Sequence, residues 1–154
     1  MKTRTIALTM ALCFITAAVC LASEVQMGTW KLNDAKSKFP PGATKNSTVV
    51  YQAMGDQVKV TVEGMDSSGK PTHNEWTGKF DGKFYPVTGD PNTDERAYKQ
   101  IDDRKMDLTT KKGGKVVATG HIEVAADGKS RTVKVEGVDS MGKKVKSTAV
   151  YEKQ

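Results

Sequence analysis

The sequence is poor in cysteine, in helical patterns and in large apolar side chains. Its 154 residues include two cysteines, Cys13 and Cys20, and both precede residue 23. The rest of the chain therefore contains no cysteine from which a stabilising disulfide could form. No segment after residue 22 carries an apolar stripe of helical period over ten or more residues. Leu, Ile and Phe are scarce there, and valine supplies most of the apolar side chains. A disulfide scaffold and a helical domain are both excluded.

The N-terminus has the layout of a secretory signal peptide. Lys2 and Arg4 form a basic start, and Ile6–Leu21 is an uncharged apolar run that is shorter than a full membrane span. Cys20-Leu21-Ala22 fits a small-x-small cleavage pattern just before Ser23. We therefore predict that residues 1–22 are removed, that 23–154 form one domain, and that the protein is periplasmic or secreted.

Two other fates of the N-terminus remain open at this point. The apolar run could stay as an uncleaved anchor, or a cysteine in it could be lipidated. Val19 precedes Cys20 and Leu12 precedes Cys13, whereas lipid-attachment sites resemble a small residue followed by cysteine. Cleavage near Ala22 is the interpretation that we carry forward, and it leaves no integral membrane segment in the mature chain.

The charge of the predicted mature chain is mildly basic and dispersed. The full chain has 24 basic and 18 acidic residues, and loss of Lys2 and Arg4 leaves a net charge of +4. Short clusters occur at Lys111-Lys112 and Lys143-Lys144. Nucleic-acid-binding faces concentrate basic residues with aromatics between them, so we expect no nucleic-acid partner.

The mature chain has the alternation of β-strands. Val58, Val60 and Val62 alternate with polar residues, a period of two that buries one face. Asp-Gly and Gly-Gly pairs between such runs are typical of tight hairpin turns. Strands are predicted near 27–33, 46–53, 57–64, 71–80, 83–88, 94–101, 104–111, 115–125, 130–138 and 143–152. Because closure removes every sheet edge, we predict an all-β, antiparallel up-and-down barrel of about 8–10 strands. A two-sheet sandwich is the alternative.

A short sequence repeat and one helical turn add detail. Residues 60–70 (VTVEGMDSSGK) parallel residues 133–143 (VKVEGVDSMGK), and both read as a strand, a glycine and a polar turn. Two copies are too few for a solenoid or propeller, so we interpret the repeat as a feature of the fold and not as two binding sites. Between the first two strands, residues 33–38 favour a turn or two of helix, ended by Pro40-Pro41.

Gly28-Thr29-Trp30, on the first predicted strand, resembles the Gly-x-Trp motif that opens lipocalins and related calycin barrels. The resemblance implies that Trp30 plugs one barrel end and that an arginine from a late strand packs across it. Arg131 is the only late arginine. It also implies an interior cavity for a small apolar or amphipathic ligand.

The residues that could carry catalysis or bind metal are placed unfavourably. His73 and Glu75 share one face of a strand, as do His121 and Glu123. Because the apolar residues of each strand alternate with these positions, we expect both pairs to lie on the outer face of the barrel. Adjacent acidic residues such as Asp102-Asp103 point to opposite sides of a strand, which does not suit a glycosidase. Nucleophile-elbow and phosphate-loop motifs are missing. We predict no catalytic residue, no metal site and no cofactor.

Aromatic side chains on the strands are the remaining candidates for a binding site, because tyrosine and tryptophan combine an apolar body with a polar group. The candidate ligand-binding residues are Trp30, Tyr51, Trp76, Phe80, Tyr85, Arg96 and Tyr98. Arg96 would pair with an anionic group of the ligand or with Asp94. Core filling is the alternative role for the aromatics.

The sequence therefore favours an exported, non-enzymatic barrel that binds a small apolar or amphipathic molecule. An envelope or surface protein with a solid barrel core, acting through contacts with other proteins, is the second hypothesis. A hydrolytic enzyme using a carboxylate in the cavity is the third.

Processing of the N-terminus is directly testable. We expect the exported protein to begin within a few residues of Ser23, because a basic N-terminal region, an uncharged apolar region and a small-residue cleavage pattern follow one another in that order. Intact-mass measurement decides this. A full-length or acylated species would show that the N-terminus is an anchor instead.

Overall fold

The chain forms a closed antiparallel barrel of ten strands. The computed structural model describes residues 24–138 and 142–154, so the predicted signal peptide lies outside the described residues. Each strand pairs with its neighbours in sequence, and β1 also pairs with β10, which closes the sheet. The strands are β1 Gly28–Leu32, β2 Lys45–Met54, β3 Gln57–Met65, β4 Pro71–Gly78, β5 Tyr85–Thr88, β6 Glu95–Gln100, β7 Lys105–Lys112, β8 Lys115–Val124, β9 Ser130–Val138 and β10 Lys144–Lys153. The predicted barrel is confirmed, and closure excludes the sandwich.

Alternation of side chains places valines and aromatics inside. In β3, Val58, Val60 and Val62 are buried while the residues between them are more exposed. Glycines with positive φ end several hairpins, for example Gly55 at 63° and Gly128 at 71°. The predicted strands match these bounds within two residues, because the pleat and the turn chemistry are both local properties of the sequence.

Two short 3-10 turns complete the described elements. Residues 24–26 form the first turn, ahead of β1. Residues 34–36 form the second, in the segment that the sequence favours as a helical turn, and the side chain of Asn33 accepts a hydrogen bond from the Lys36 amide at 3.1 Å. No helix within the described ranges has the length and apolar character needed to cross a membrane.

The strand connections define two ends of the barrel. The turns at 55–56, 79–84, 101–104 and 125–129 lie at one end, together with residues 24–27; we call this the closed end. The segments 39–44, 66–70, 89–94 and 113–114 lie at the other end, with the last residue of β9 and the first residue of β10; we call this the open end.

The sequence repeat places a glycine at two points of close backbone approach. Gly64 in β3 and Gly137 in β9 occupy the same position of the two copies. A Cβ at Gly64 would lie 2.5 Å from the Lys45 carbonyl oxygen, and one at Gly137 would lie 2.9 Å from the Val117 carbonyl oxygen. Both positions need glycine because the neighbouring backbone approaches closely there. The glycine that the two copies share is therefore explained by the close packing of neighbouring strands.

Substitution of Gly137 tests this account of the shared glycine. We expect Gly137→Val to lower the free energy of unfolding by about 1–3 kcal/mol, because the new side chain forces the backbone of β8 aside. The matched control is Lys134→Val on the exposed face of β9, which should change stability by less than about 0.5 kcal/mol. Urea unfolding measures both. Equal effects would mean that Gly137 is not constrained by its neighbours.

Candidate ligand-binding cavity

The closed end is built around a buried arginine. Arg131, at the start of β9, is 2% exposed, and its Cζ lies 4.7 Å from the centre of the Trp30 ring, 4.8 Å from that of Tyr51 and 5.1 Å from that of Tyr151. No carboxylate among the described residues forms an ion pair with it, and its Nε and Nη1 have no hydrogen-bond partner there. The guanidinium is held by ring faces instead, through cation–π attraction.

Residues 24–27 seal the closed end from outside. The indole Nε1 of Trp30 donates to the carbonyl oxygen of Gln26 at 2.9 Å. The side chain of Gln26, itself fully buried, donates to the carbonyl oxygen of Arg104 in the turn between β6 and β7 at 3.2 Å. Lys153 at the end of β10 donates to the Val25 carbonyl oxygen at 3.1 Å. Trp30 is 0% exposed as a result.

A cluster of aromatic rings fills the rest of the closed half. Trp76 lies 4.8 Å from Tyr98 and 5.7 Å from Tyr85 in edge-on contacts, and 6.3 Å from Phe80 in a stacked one, between ring centres. Tyr51 lies 6.2 Å from both Phe80 and Tyr98. These geometries are those that aromatic rings prefer in a packed core.

A polar layer separates the aromatic half from the open half. Arg96 Nη2 donates to Asn74 Oδ1 at 3.2 Å and lies 4.0 Å from Asp90 Oδ2. The carbonyl oxygen of Arg96 accepts from the indole Nε1 of Trp76 at 2.8 Å. Thr110 is the strand partner of Arg96 and is buried as well. The guanidinium of Arg96 thus has a protein acceptor and a protein carboxylate already, and Asp94 is not its partner.

The open half contains a cavity of about 730 Å³. Its wall includes inward-facing positions of β8, β9 and β10, namely Ala118, Val135, Gly137, Val145 and Ser147. These side chains are small, so they do not reach across the barrel. In the closed half the corresponding inward positions hold Arg131 and Tyr151. Small inward side chains therefore leave a cavity in the open half of the barrel, and large ones fill the closed half.

Polar groups converge on the cavity at its mouth and side. Thr93 and Thr110 are buried and line it, and Lys112 and Lys146 lie at its rim. The segment 39–44 forms a roof that carries Phe39, Pro40 and Pro41. This roof is tied to β10 because Lys38 and Thr148 exchange backbone hydrogen bonds of 2.7 and 2.8 Å. The lining is therefore amphipathic.

The predicted ligand-binding residues do not line this cavity. Six of them pack in the closed half, and Arg96 lies in the polar layer beneath the cavity; none of the seven is among the lining residues. Their contact with a ligand stays a prediction. The lining residues that sequence reasoning missed have a recognisable signal, since small residues such as Ala118, Gly137 and Ser147 occupy inward positions on adjacent strands.

The histidine pairs lie on the outer surface, as strand parity predicts. His73 Nδ1 lies 2.5 Å from Glu63 Oε1, and Nε2 lies 3.6 Å from Glu75 Oε1, all on exposed side chains. His121 Nδ1 lies 2.6 Å from Asp107 Oδ1 and is likewise exposed. Within the described ranges, no group of three or more potential ligands is arranged to hold a metal ion.

Comparison with known proteins yields distant structural neighbours. No protein-family model matches the sequence, and no curated protein matches it. Among solved structures, "Structure of EF1p2_mFAP2b bound to DFHBI" aligns with 10% identity and a TM-score of 0.48, covering 86% of this chain and 97% of that one. "Structure of a redesigned beta barrel, mFAP1, bound to DFHBI" aligns with 15% identity and a TM-score of 0.49, covering 86% and 98%. A de novo designed fluorescence-activating β-barrel aligns with 16% identity and a TM-score of 0.45, covering 86% and 97%. These likenesses are too distant to transfer dye binding to this chain.

Replacement of Trp30 tests how far the closed end stabilises the barrel. We expect Trp30→Ala to lower the free energy of unfolding by about 3–5 kcal/mol, because it removes a fully buried ring and uncovers one face of the Arg131 guanidinium. Trp30→Phe keeps a ring face and should cost less. Chemical unfolding compares them, and an alanine variant as stable as the wild type would contradict the account.

The buried tyrosine of β10 predicts a loss of stability in alkali. Burial raises the pKa of Tyr151 from 10.0 to about 12, and its hydroxyl donates to the Asn46 carbonyl oxygen at 3.0 Å. Since the unfolded chain loses this proton near pH 10, the contribution is fully present below pH 10 and is lost as the pH rises towards 12. In Tyr151→Phe, the free energy of unfolding should therefore fall less steeply between about pH 10 and pH 12 than in the wild type. An unchanged slope would contradict the assignment.

Proposed function

We propose that this chain is an exported, non-enzymatic protein that binds a small amphipathic molecule in the open-end cavity. The observation that carries the proposal is the cavity of about 730 Å³, whose size falls in the range of small-molecule sites. Valine and proline side chains would contact the apolar body of the ligand. Thr93 and Thr110 would supply hydroxyl groups to its polar part.

The pairing of Trp30 with Arg131 supports a relationship to lipocalins and other calycins. Trp30 follows Gly28 in the Gly-x-Trp pattern, and the arginine stacks on the indole at 4.7 Å from the late strand β9. That is the arrangement which the resemblance implies for one barrel end. The cavity lies at the opposite end of the barrel, where a ligand would enter.

Two other functions are less well supported. An interaction protein with a solid core would need the open half to be filled, and the small side chains of Ala118 and Ser147 leave it empty. A hydrolytic enzyme would need an available carboxyl group in the cavity. Asp66 lines it, but the Ser68 hydroxyl and the Ser68 and Lys70 amides donate to this carboxylate, and the Ser68 hydroxyl is the main group that lowers its pKa. Such a carboxylate is a poor proton donor.

Export is the part of the proposal that depends on the sequence alone. Its support is the basic start and uncharged apolar run of residues 1–22. A periplasmic or secreted barrel without cysteines must rely on its packed closed half for stability.

Filling the cavity tests the proposed function. We expect the wild-type protein to bind an amphipathic naphthalene sulfonate dye, and Ala118→Phe to weaken this binding at least about tenfold, because the ring would occupy the ligand's space. Fluorescence titration measures the affinity, and circular dichroism checks the fold.

The matched control is Thr119→Phe, the next residue of β8, which is exposed on the outer face. It should leave dye affinity unchanged. If the wild type binds no dye from a panel of apolar probes, or if both variants weaken binding equally, ligand binding in this cavity is wrong and the interaction-protein hypothesis replaces it.

A further inference from the structure

One side of the open rim is strongly basic. The hairpin between β7 and β8 carries Lys112 and Lys115, and the start of β10 carries Lys144 and Lys146. All four side chains are exposed, and β8 pairs with β9, which pairs with β10, so the two groups are neighbours on the rim. Lys146 forms an ion pair with Glu136 at 2.6 Å, whereas Lys112 and Lys115 have no carboxylate within ion-pair distance among the described residues.

Apolar side chains are exposed between these lysines. Val116 is 54% exposed and Val138 is 49% exposed, so both side chains present apolar surface to solvent. Strand register sets Val138 beside Lys144. A surface groove of about 230 Å³ runs along both valines, with Lys144 and Lys146 at its side. The rim is thus apolar in the middle and cationic around it.

The closed end lacks this arrangement. Its turns mix both signs of charge: Lys79 pairs with Asp56, Lys105 pairs with Glu123 at 3.8 Å, and Asp127 accepts from the Lys129 amide in the last turn. The β8–β10 side of the open rim, in contrast, presents exposed lysines beside the mouth of the cavity.

We propose that this basic and apolar rim docks the open end onto an anionic phospholipid surface. Lysine side chains near such a surface are attracted to its phosphates, and each strengthens binding about fivefold at physiological ionic strength. Exposed valines enter the boundary between headgroups and acyl chains. Val117, Val138 and Lys146 line both the rim and the cavity, so docking sets the mouth of the cavity against the lipid.

Vesicle co-sedimentation tests the proposal with the processed protein, as identified by its intact mass. We expect binding to vesicles of equal parts phosphatidylcholine and phosphatidylglycerol, little binding to phosphatidylcholine alone, and loss of binding as salt is raised. The variant Lys112→Gln/Lys115→Gln/Lys144→Gln should bind anionic vesicles at least about thirtyfold more weakly. Val116→Ser/Val138→Ser should weaken binding several-fold and leave the salt dependence unchanged.

The matched control removes three lysines from the closed end, as Lys79→Gln/Lys83→Gln/Lys129→Gln. It has the same net charge as the rim variant and should bind anionic vesicles like the wild type. If both triple variants lose binding equally, net charge and not the rim is responsible, and the proposal is overturned. It is also overturned if vesicles are not bound while polyglutamate is bound through the rim lysines, which would assign the rim to an acidic protein. Dye affinity of each variant is measured separately, so failure here is distinct from failure of the cavity.

Discussion

The interaction on which the rest of the structure depends is the burial of Arg131 among three aromatic rings. A guanidinium withdrawn from water without a carboxylate is costly unless other groups stabilise its charge. The faces of Trp30, Tyr51 and Tyr151 do so here, and each comes from a different strand. The arginine therefore ties β1, β2, β9 and β10 together at the point where the barrel closes. The aromatic cluster around Trp76 extends this packing to β4 and β6.

Concentrating the large side chains at one end has a consequence for function. Residues 23–154 contain nine aromatic residues and few large aliphatic ones, so a barrel of ten strands is not filled along its whole length. The closed half takes Trp30, Trp76 and most of the tyrosines, and the open half keeps valine, alanine, serine and glycine. Stability is thus supplied by one half of the barrel, and the other half is free to hold a ligand. The polar layer at Asn74 and Arg96 marks the boundary between them.

The strands were predictable from the sequence, and the position of the cavity was not. Alternation in β3 and the glycine turns are local signals, so they locate strands to within two residues and indicate closure. The parity of His73 and His121 likewise predicts their exposure. The position of the cavity depends on which inward residues meet across the barrel, and this follows from register and shear, which no local pattern reveals. Reasoning from aromatic residues led to the filled half. Tyr98 and Trp76 point inward, but they contact each other.

Carbon-detected methyl spectra of the valines, recorded during titration with an amphipathic naphthalene sulfonate dye, test the central claim most directly. Valines occur in both halves, so the shifts report where the dye sits. The account predicts that the methyl signals of Val135 and Val145 move, while those of Val58, Val60 and Val124 stay in place. Movement of the closed-half valines, or no movement in either half, would contradict the division of the barrel into a packed end and a ligand-binding end.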